Sequence, residues 1–127
     1  MSNTWTEEEV RRIGDATELQ VATERPDGTL RPYVTIWGVR SGDSIYIRSA
    51  HGPENGWFRH AAASGAGRIR AGGTERDVYF AQLDSSDPAQ GHIDAAYHAK
   101  YDSYGPRIVG SVVGPAATIV TLRVSPR

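Results

Sequence analysis

The chain has 127 residues, a formal net charge of −1 and no cysteine. A chain of this length fits a single domain that buries roughly two-thirds of its unfolded surface, so we expect one domain over residues 1–127. The lack of cysteine excludes disulfides, thiolate metal sites and cysteine nucleophiles, and the absence of a basic run argues against nucleic-acid binding. No segment approaches the ~20 apolar residues of a membrane span, and the acidic N-terminus is unlike a secretory signal. A cytoplasmic protein is therefore expected.

The first elements are a short helix and three strands. Thr6 and Glu9 have the spacing of a capping box, which predicts a helix start there, and Gly14 is expected to end that helix in a left-handed conformation. Strand-like patterns follow at residues 19–23, 33–39 and 44–49. Residues 33–39 are apolar on both faces, which predicts a central strand.

The middle of the chain predicts a helix and a hairpin. The helix is expected over residues 55–63, with Gly65 at its end. Residues 67–80 then have the pattern of two strands joined by the pair Gly72-Gly73. A two-residue turn places Arg70 opposite Glu75 and Arg68 opposite Asp77, and such cross-strand pairs of opposite charge stabilise a hairpin.

A long helix and a last strand complete the chain. The helix is predicted from Gly91 to about Tyr104, and it has a stripe of apolar and aromatic residues at helical spacing: Ile93, Tyr97, Tyr101 and Tyr104. Residues 117–124 are rich in β-branched side chains and predict the last strand. Six short strands and three helices without regular β-α-β alternation indicate an α+β protein with a closed or nearly closed antiparallel barrel.

The junction between the third strand and the second helix is the strongest candidate for a binding site. Free N–H groups at the start of a helix attract anions. Around this junction Arg48 and Arg59 would contact a phosphate, Ser49 would offer a hydroxyl, and Trp57 would offer a stacking face. The alternative is an ordinary strand–loop–helix junction with solvated arginines and a core tryptophan.

Other side chains suit chemistry less specifically. Tyr97 and Tyr101 would place phenols over a substrate as donors or weak acids, or they would simply pack the helix on the barrel. Thr35 and Trp37 would form a ligand wall or a piece of core. The four histidines lack metal-ligand spacing, so no metal site is expected.

Two resemblances extend this interpretation. Residues 28–80 resemble the split barrels of the deazaflavin-dependent nitroreductase and pyridoxamine-phosphate-oxidase-like families, and His60 stands where those families have asparagine. The matching positions are Gly28, Arg31, Ile47, Ser49, Gly52, Trp57 and Phe58. Nearly the whole chain also resembles the bacterial family DUF2255 through Thr35-Ile36-Trp37, residues 68–73 and residues 95–101.

These resemblances imply a six-stranded split barrel with three flanking helices that forms a homodimer. The DUF2255 resemblance implies no reaction. The split-barrel resemblance implies FMN or F420 as cofactor and an oxidoreductase acting on a small organic molecule, with Thr35, Trp37 and Tyr97 facing the substrate. Candidates for catalytic groups are Tyr97, Tyr101 and His60, and the cofactor-binding residues would be Arg48, Ser49, Gly52, Trp57 and Arg59. Because His60 replaces the family asparagine, the alternative is a barrel without cofactor that acts as an isomerase, cyclase, lyase or metabolite carrier.

Overall fold

The computed structural model describes residues 4–127. Its seven strands are β1 (Leu19–Thr23), β2 (Val34–Ile36), β3 (Gly38–Ser41), β4 (Ser44–Arg48), β5 (Ala66–Ala71), β6 (Thr74–Gln82) and β7 (Thr121–Pro126). Its five α-helices are α1 (Glu7–Asp15), α2 (Gly56–Ser64), α3 (Ala89–Tyr101), α4 (Pro106–Val109) and α5 (Pro115–Thr118). A 3₁₀ turn over Asp102–Tyr104 joins α3 to α4. No helix within residues 4–127 is long and apolar enough to cross a bilayer.

All seven strands form one antiparallel sheet in the order β2-β1-β5-β6-β7-β4-β3. The two end strands, β2 and β3, are consecutive in the chain and only Trp37 separates them. The same stretch of chain therefore forms both edges, and the sheet is nearly closed into a barrel. This confirms the predicted α+β class and the barrel architecture.

The prediction of one central strand over residues 33–39 was wrong. This stretch is divided into β2, which pairs with β1, and β3, which pairs with β4, so the sheet has seven strands instead of six. The apolar pattern on both faces has another origin. Trp37 lies at the bend and stacks on Tyr101 of α3 with ring centroids 3.9 Å apart, so packing against a helix accounts for the apolar side chain at this position.

The predicted hairpin is confirmed. Gly72 and Gly73 both have positive φ, +57° and +82°, as a type I′ turn requires, and the register pairs Arg70 with Glu75 and Arg68 with Asp77. The ion pairs of the arginine side chains do not follow this backbone register. Arg68 binds both Asp77 and Glu75, at 2.9 and 2.7 Å, whereas the Arg70 guanidinium lies 3.8 Å from the ring centroid of Tyr33.

Two of the three glycine and capping signals for helix ends are confirmed. The capping box of Thr6 and Glu9 is present, and Gly65 ends α2 with φ +68°. Gly14 is not a left-handed cap, because α1 continues through it to Asp15. Its small size matters for packing instead, since a Cβ there would lie 2.9 Å from the Cβ of Arg40.

The C-terminal region contains two short helices that the pattern did not predict, so the chain has five α-helices where three were expected. Both α4 and α5 begin with proline after a glycine of positive φ, Gly105 and Gly114. A helix of one turn has no apolar periodicity to recognise. The last strand consequently begins at Thr121 instead of residue 117.

Two apolar clusters hold the fold together. The larger one fills the barrel beneath α1 and α2, and the smaller one packs α3 against the outside of β3 and β4. Tyr97 and Tyr101 belong to the smaller cluster, as does Val112 from the segment after α4. The candidate site lies beside this second cluster, where the barrel edge at β2 approaches the end of β4.

Candidate functional site

The main cavity opens at the seam of the barrel and has a volume of about 420 Å³. Residues 34–37 form one side, and Arg48, Ala50 and His51 at the end of β4 form the other. Trp57 of α2 and the segment around Val112 complete the lining. The volume is within the range of small-molecule pockets, which are mostly apolar with a few polar groups.

Arg48 lies in this lining but is fully engaged by the protein. It is 1% exposed, and its guanidinium donates to the Oγ1 of Thr121 at 2.9 Å, the carbonyl of Val112 at 2.8 Å and the Oε1 of Gln90 at 2.7 Å. It also forms an ion pair with Asp94 and a long bond to the carbonyl of Gln90. All five N–H donors of an arginine thus have partners in the chain, so Arg48 has no free donor for a ligand phosphate.

The loop after β4 is shaped by two of the predicted residues. Ser49 is 1% exposed, and its hydroxyl donates to the carbonyl of Gly52 at 2.7 Å. Gly52 has φ +81°, a conformation that glycine adopts at little cost. Both residues therefore fix the course of the loop towards α2, where the N-cap residue Asn55 makes no side-chain capping bond.

The first turn of α2 contributes Trp57 but not Arg59. Trp57 is 7% exposed and lines the main cavity, with Phe58 edge-on to it at 6.0 Å between ring centroids. Arg59 is exposed and lies outside the cavity lining. The structure thus brings Arg48 and Trp57 together at the cavity and leaves Arg59 on the surface.

Thr35 and Trp37 both line the cavity, and their contact with a ligand stays a prediction. Tyr101 stacks on the Trp37 indole with an interplanar angle of 7°, and the ring of Tyr104 meets it edge-on at 5.2 Å. This arrangement holds the indole in one orientation at the cavity wall.

The hydroxyls of Tyr97 and Tyr101 bind main-chain carbonyls. Tyr97 donates to Trp37 at 3.1 Å, and Tyr101 donates to Thr17 at 2.7 Å and to Gly38 at 3.2 Å. Burial raises the pKa of both phenols above its ordinary value, so both are neutral hydrogen-bond donors at neutral pH. Neither residue is in the cavity lining, and a catalytic role for them stays a prediction.

A second, smaller cavity of about 310 Å³ adjoins the first and has two basic side chains in a mainly apolar lining; we call it the basic cavity. Val34 and Trp57 line both cavities, and Arg31 and His60 line only the smaller one. The Nε of Arg31 is buried without a hydrogen-bond partner, and within residues 4–127 its guanidinium forms no ion pair. Gly56, the first residue of α2, also lines this cavity, so the positive end of a helix dipole faces it.

His60 reports the positive potential of this cavity. Partial burial, together with the charges of Arg31 and Arg59, lowers the pKa of His60 below its ordinary value. Cations that approach one another without an anion between them raise each other's free energy. The arrangement is thus suited to an anion that residues 4–127 do not supply.

Metal binding has no support in the described residues. Residues 4–127 contain no group of three or more His, Cys, Asp or Glu side chains able to hold a metal ion.

Comparison with known proteins identifies the family. The sequence profile of uncharacterized proteins conserved in bacteria, DUF2255, matches residues 9–124. The chain is a DUF2255 protein. No curated protein matches this sequence.

Solved structures share the fold of this DUF2255 protein at low sequence identity. A conserved hypothetical protein from Mycobacterium tuberculosis matches with a TM-score of 0.64 and 13% identity, over all of this chain and 84% of the other. An F420-H2 dependent reductase matches at 0.61 and 13%, over 86% of this chain and 93% of its own. A further F420 reductase matches at 0.57 and 17%, over 97% and 94%. At these identities the likeness establishes the split-barrel fold.

The sequence analysis of the DUF2255 protein did not include Arg31 among the cofactor-binding residues, and it did not predict the basic cavity. The signal was present in the sequence, because Arg31 and Gly28 match the Gly-x-x-Arg pattern of the split barrels. The pattern did not show that Arg31 and His60, which are 29 positions apart in the chain, line the same cavity. Both residues meet only after β1 and α2 are packed together.

Proposed function

We propose that this protein binds FMN or the deazaflavin F420 and acts as an oxidoreductase on a small organic molecule. The observation that carries the proposal is the pair of adjoining cavities. One is large, with Trp37 and Trp57 in its walls, and the other contains the unpaired guanidinium of Arg31. An aromatic ring system joined to a phosphate has these same two parts, side by side.

The residues of the smaller cavity fit the phosphate. The buried Nε of Arg31 lacks an acceptor, and a phosphate oxygen is a strong acceptor for a guanidinium. A neutral His60 would offer a ring N–H donor, and the uncapped N-terminus of α2 would add positive potential. In this proposal Arg48 acts indirectly, because its donors are bound to Gln90, Asp94, Val112 and Thr121.

The residues of the larger cavity fit a planar ring. Trp37 is held by ring contacts with Tyr101 and Tyr104. Trp57 on α2 is buried and packs against Phe58. Both indoles are therefore fixed before a ligand enters. Thr35 lies on β2, where one side of the strand has no neighbouring strand, and it would contact the substrate or the ring edge. A bound flavin or deazaflavin would supply hydride transfer, while the protein supplies orientation and exclusion of water.

The fold comparison supports the proposal at the level of architecture. Two proteins with this fold are named as F420 reductases, and pockets of one fold often host different ligands. The decision between ligands therefore depends on binding measurements.

The test is a titration of the purified protein with FMN and with F420, followed by absorbance and fluorescence. We expect one of them to bind, and we expect Arg31→Gln to weaken binding by about tenfold to a hundredfold, because a charged hydrogen bond contributes ~1.5–3 kcal/mol. Arg123→Gln is the matched control, since Arg123 is exposed on β7 and lines neither cavity. If neither cofactor binds, or if both variants lose affinity equally, the proposal is wrong.

A second candidate is a cofactor-independent enzyme or metabolite carrier. The observation in its favour is that the only arginine in the lining of the larger cavity, Arg48, is neutralised within the described chain by Asp94, which leaves a mainly apolar space. A thermal-shift screen of small organic acids and polyketide-like compounds distinguishes the candidates. Stabilisation by such a compound without any response to FMN or F420 would favour the second candidate.

A further inference from the structure

Lysine is used once in this chain. Of the 14 Lys and Arg residues, 13 are arginine and the remaining one is Lys100. Arginine stays protonated in proteins, whereas a lysine loses its proton readily when it is buried. The single lysine is therefore the only side chain with an amine that can become a nucleophile, and its surroundings decide whether it does.

Lys100 lies near the end of α3, in a cavity of about 380 Å³ that shares no lining residue with the two cavities described above. Its Nζ donates to the carbonyl of Gly38 at 2.6 Å and lies 5.1 Å from the ring centroid of Tyr101. Three small residues leave the space open around it: Gly14, Ala96 and Ala99.

The ammonium group has no counter-ion in contact. Within the described residues no carboxylate comes within 4.0 Å of the Lys100 Nζ, although Asp15 and Arg40 line the same cavity. Burial lowers the pKa of Lys100 to about 8, and Asp15 opposes this shift only in part. Tyr101 is neutral, because burial raises the pKa of its phenol, and Arg40 adds a further positive charge to the cavity.

We propose that Lys100 is a covalent attachment site for small carbonyl compounds that carry a carboxylate, such as 2-oxo acids. The position of its Nζ in an open cavity, bonded to a carbonyl and not to an acid, carries this proposal. The lone pair of the neutral amine attacks the carbonyl carbon and forms a C–N bond. The amine nitrogen gives up its two protons in the course of the condensation, and the carbonyl oxygen takes up two and leaves as water, which yields an imine without any oxidant or reductant.

Arg40 gives the site its preference for a carboxylate. It forms ion pairs with Glu7 at 3.3 Å and with Asp43 at 4.0 Å, and these two acidic side chains are 75% and 90% exposed. Such surface pairs contribute little, so a ligand carboxylate can compete for the guanidinium. Asp15 lines the same cavity, and in this proposal its carboxylate accepts and returns protons during the condensation.

The experiment uses glyoxylate as probe and cyanoborohydride to trap the imine as a carboxymethyl group. Peptide mapping separates Lys100 from the N-terminal amine. At pH 7.5 an amine of pKa 8 is neutral roughly two hundred times more often than one of pKa 10.5. Because a less basic amine is also a weaker nucleophile, we expect labelling of Lys100 to be about tenfold faster than labelling of Nα-acetyl-lysine under the same conditions.

Two variants test the cavity itself. Ala99→Leu fills the space beside Nζ and is expected to slow labelling at least about fivefold, whereas Ala62→Leu makes the same change at an exposed position of α2 and leaves the rate unchanged. The labelling rate should rise with pH around a midpoint near 8. A midpoint near 10.5, a rate equal to that of Nα-acetyl-lysine, or equal rates in the two leucine variants would overturn the proposal. None of these results depends on flavin binding.

Discussion

Arg48 connects four parts of the chain through one guanidinium group. Its partners lie on α3, on β7 and in the segment after α4, at sequence separations from 42 to 73 residues. A buried charge is stable only when it is paired and hydrogen-bonded, and here Asp94 supplies the pairing. The residue therefore contributes to the site by holding the Val112 segment against the barrel.

Replacement of Arg48 should cost stability and not only affinity. We expect Arg48→Met to lower the free energy of unfolding by about 3–5 kcal/mol, because the change leaves Asp94 and the acceptors around it without their partner. Urea unfolding followed by circular dichroism measures this. If Arg48→Met is too unstable to purify, Arg48→Lys keeps the charge but not the planar fork, and it should be destabilised by about 2 kcal/mol or more.

Arg59→Met is the matched control for this prediction. Arg59 was predicted from the sequence to share the role of Arg48, yet it is exposed on α2. Its replacement should change the free energy of unfolding by less than about 0.5 kcal/mol. A small loss of stability in Arg48→Met, together with a large loss of cofactor affinity, would contradict the structural role. It would instead support the sequence-based prediction that Arg48 contacts the cofactor phosphate directly.

The hairpin of β5 and β6 shows how charge pairs behave at the scale of an element. The hydrogen bond from Arg68 is the main cause that lowers the pKa of Asp77 below 3.8, and the charges of Arg127 and Arg76 act in the same direction. A carboxyl with a lowered folded pKa stabilises the fold above its unfolded pKa. That contribution is lost as the pH falls through the folded value.

Asp77→Asn should therefore remove a pH-dependent part of the stability. We expect the variant to be less stable than the parent at pH 7 by under about 1 kcal/mol, since Arg68 and Asp77 are both more than a third exposed. The difference should disappear towards pH 2. Thermal unfolding across this range measures it, with Asp43→Asn as control because Asp43 is 90% exposed. A difference that persists at pH 2 would contradict the assignment.

Elements with local sequence signals were predictable from the sequence. The capping box at Thr6 and Glu9, the Gly72-Gly73 turn and the end of α2 at Gly65 are all found where their residues indicate. Each depends on residues a few positions apart. Where two distant segments decide the outcome, the sequence was misleading: the stretch around Trp37 has an apolar outer face because α3 covers it, not because it lies at the centre of the sheet.

The candidate site was predictable to a similar extent. The junction after β4 does line a cavity, and Trp37, Thr35 and Trp57 are in its walls. The hydrogen-bond partners of Arg48 could not be predicted from the sequence, because the acceptors on α3 and in the irregular chain after α4 are far from Arg48 along the chain. For the same reason the meeting of Arg31 with His60 required the packed structure.

At the scale of the molecule, the barrel leaves apolar side chains uncovered at the cavity mouth. Val34 is 39% exposed and Ile108 is 51% exposed, and both line the main cavity. Tyr104, which contacts Trp37, is 43% exposed. Contiguous apolar surface beside a pocket is typical of an interaction face, and in a homodimer one patch would meet its own copy across a two-fold axis.

We predict that a second copy of the chain covers this mouth. Light scattering after gel filtration should then give twice the 13.8 kDa chain mass, and Ile108→Glu should shift the protein towards the monomer because it would bury a charge in the proposed interface. Ile119→Glu is the control, since Ile119 is equally exposed at 49% but lines no part of the main cavity. A monomeric parent protein would exclude the interface. Equal dissociation of the dimer by both substitutions would show that the interface is not at the cavity mouth. Retained F420 or FMN binding in a monomeric Ile108→Glu variant would show further that one chain forms the whole site.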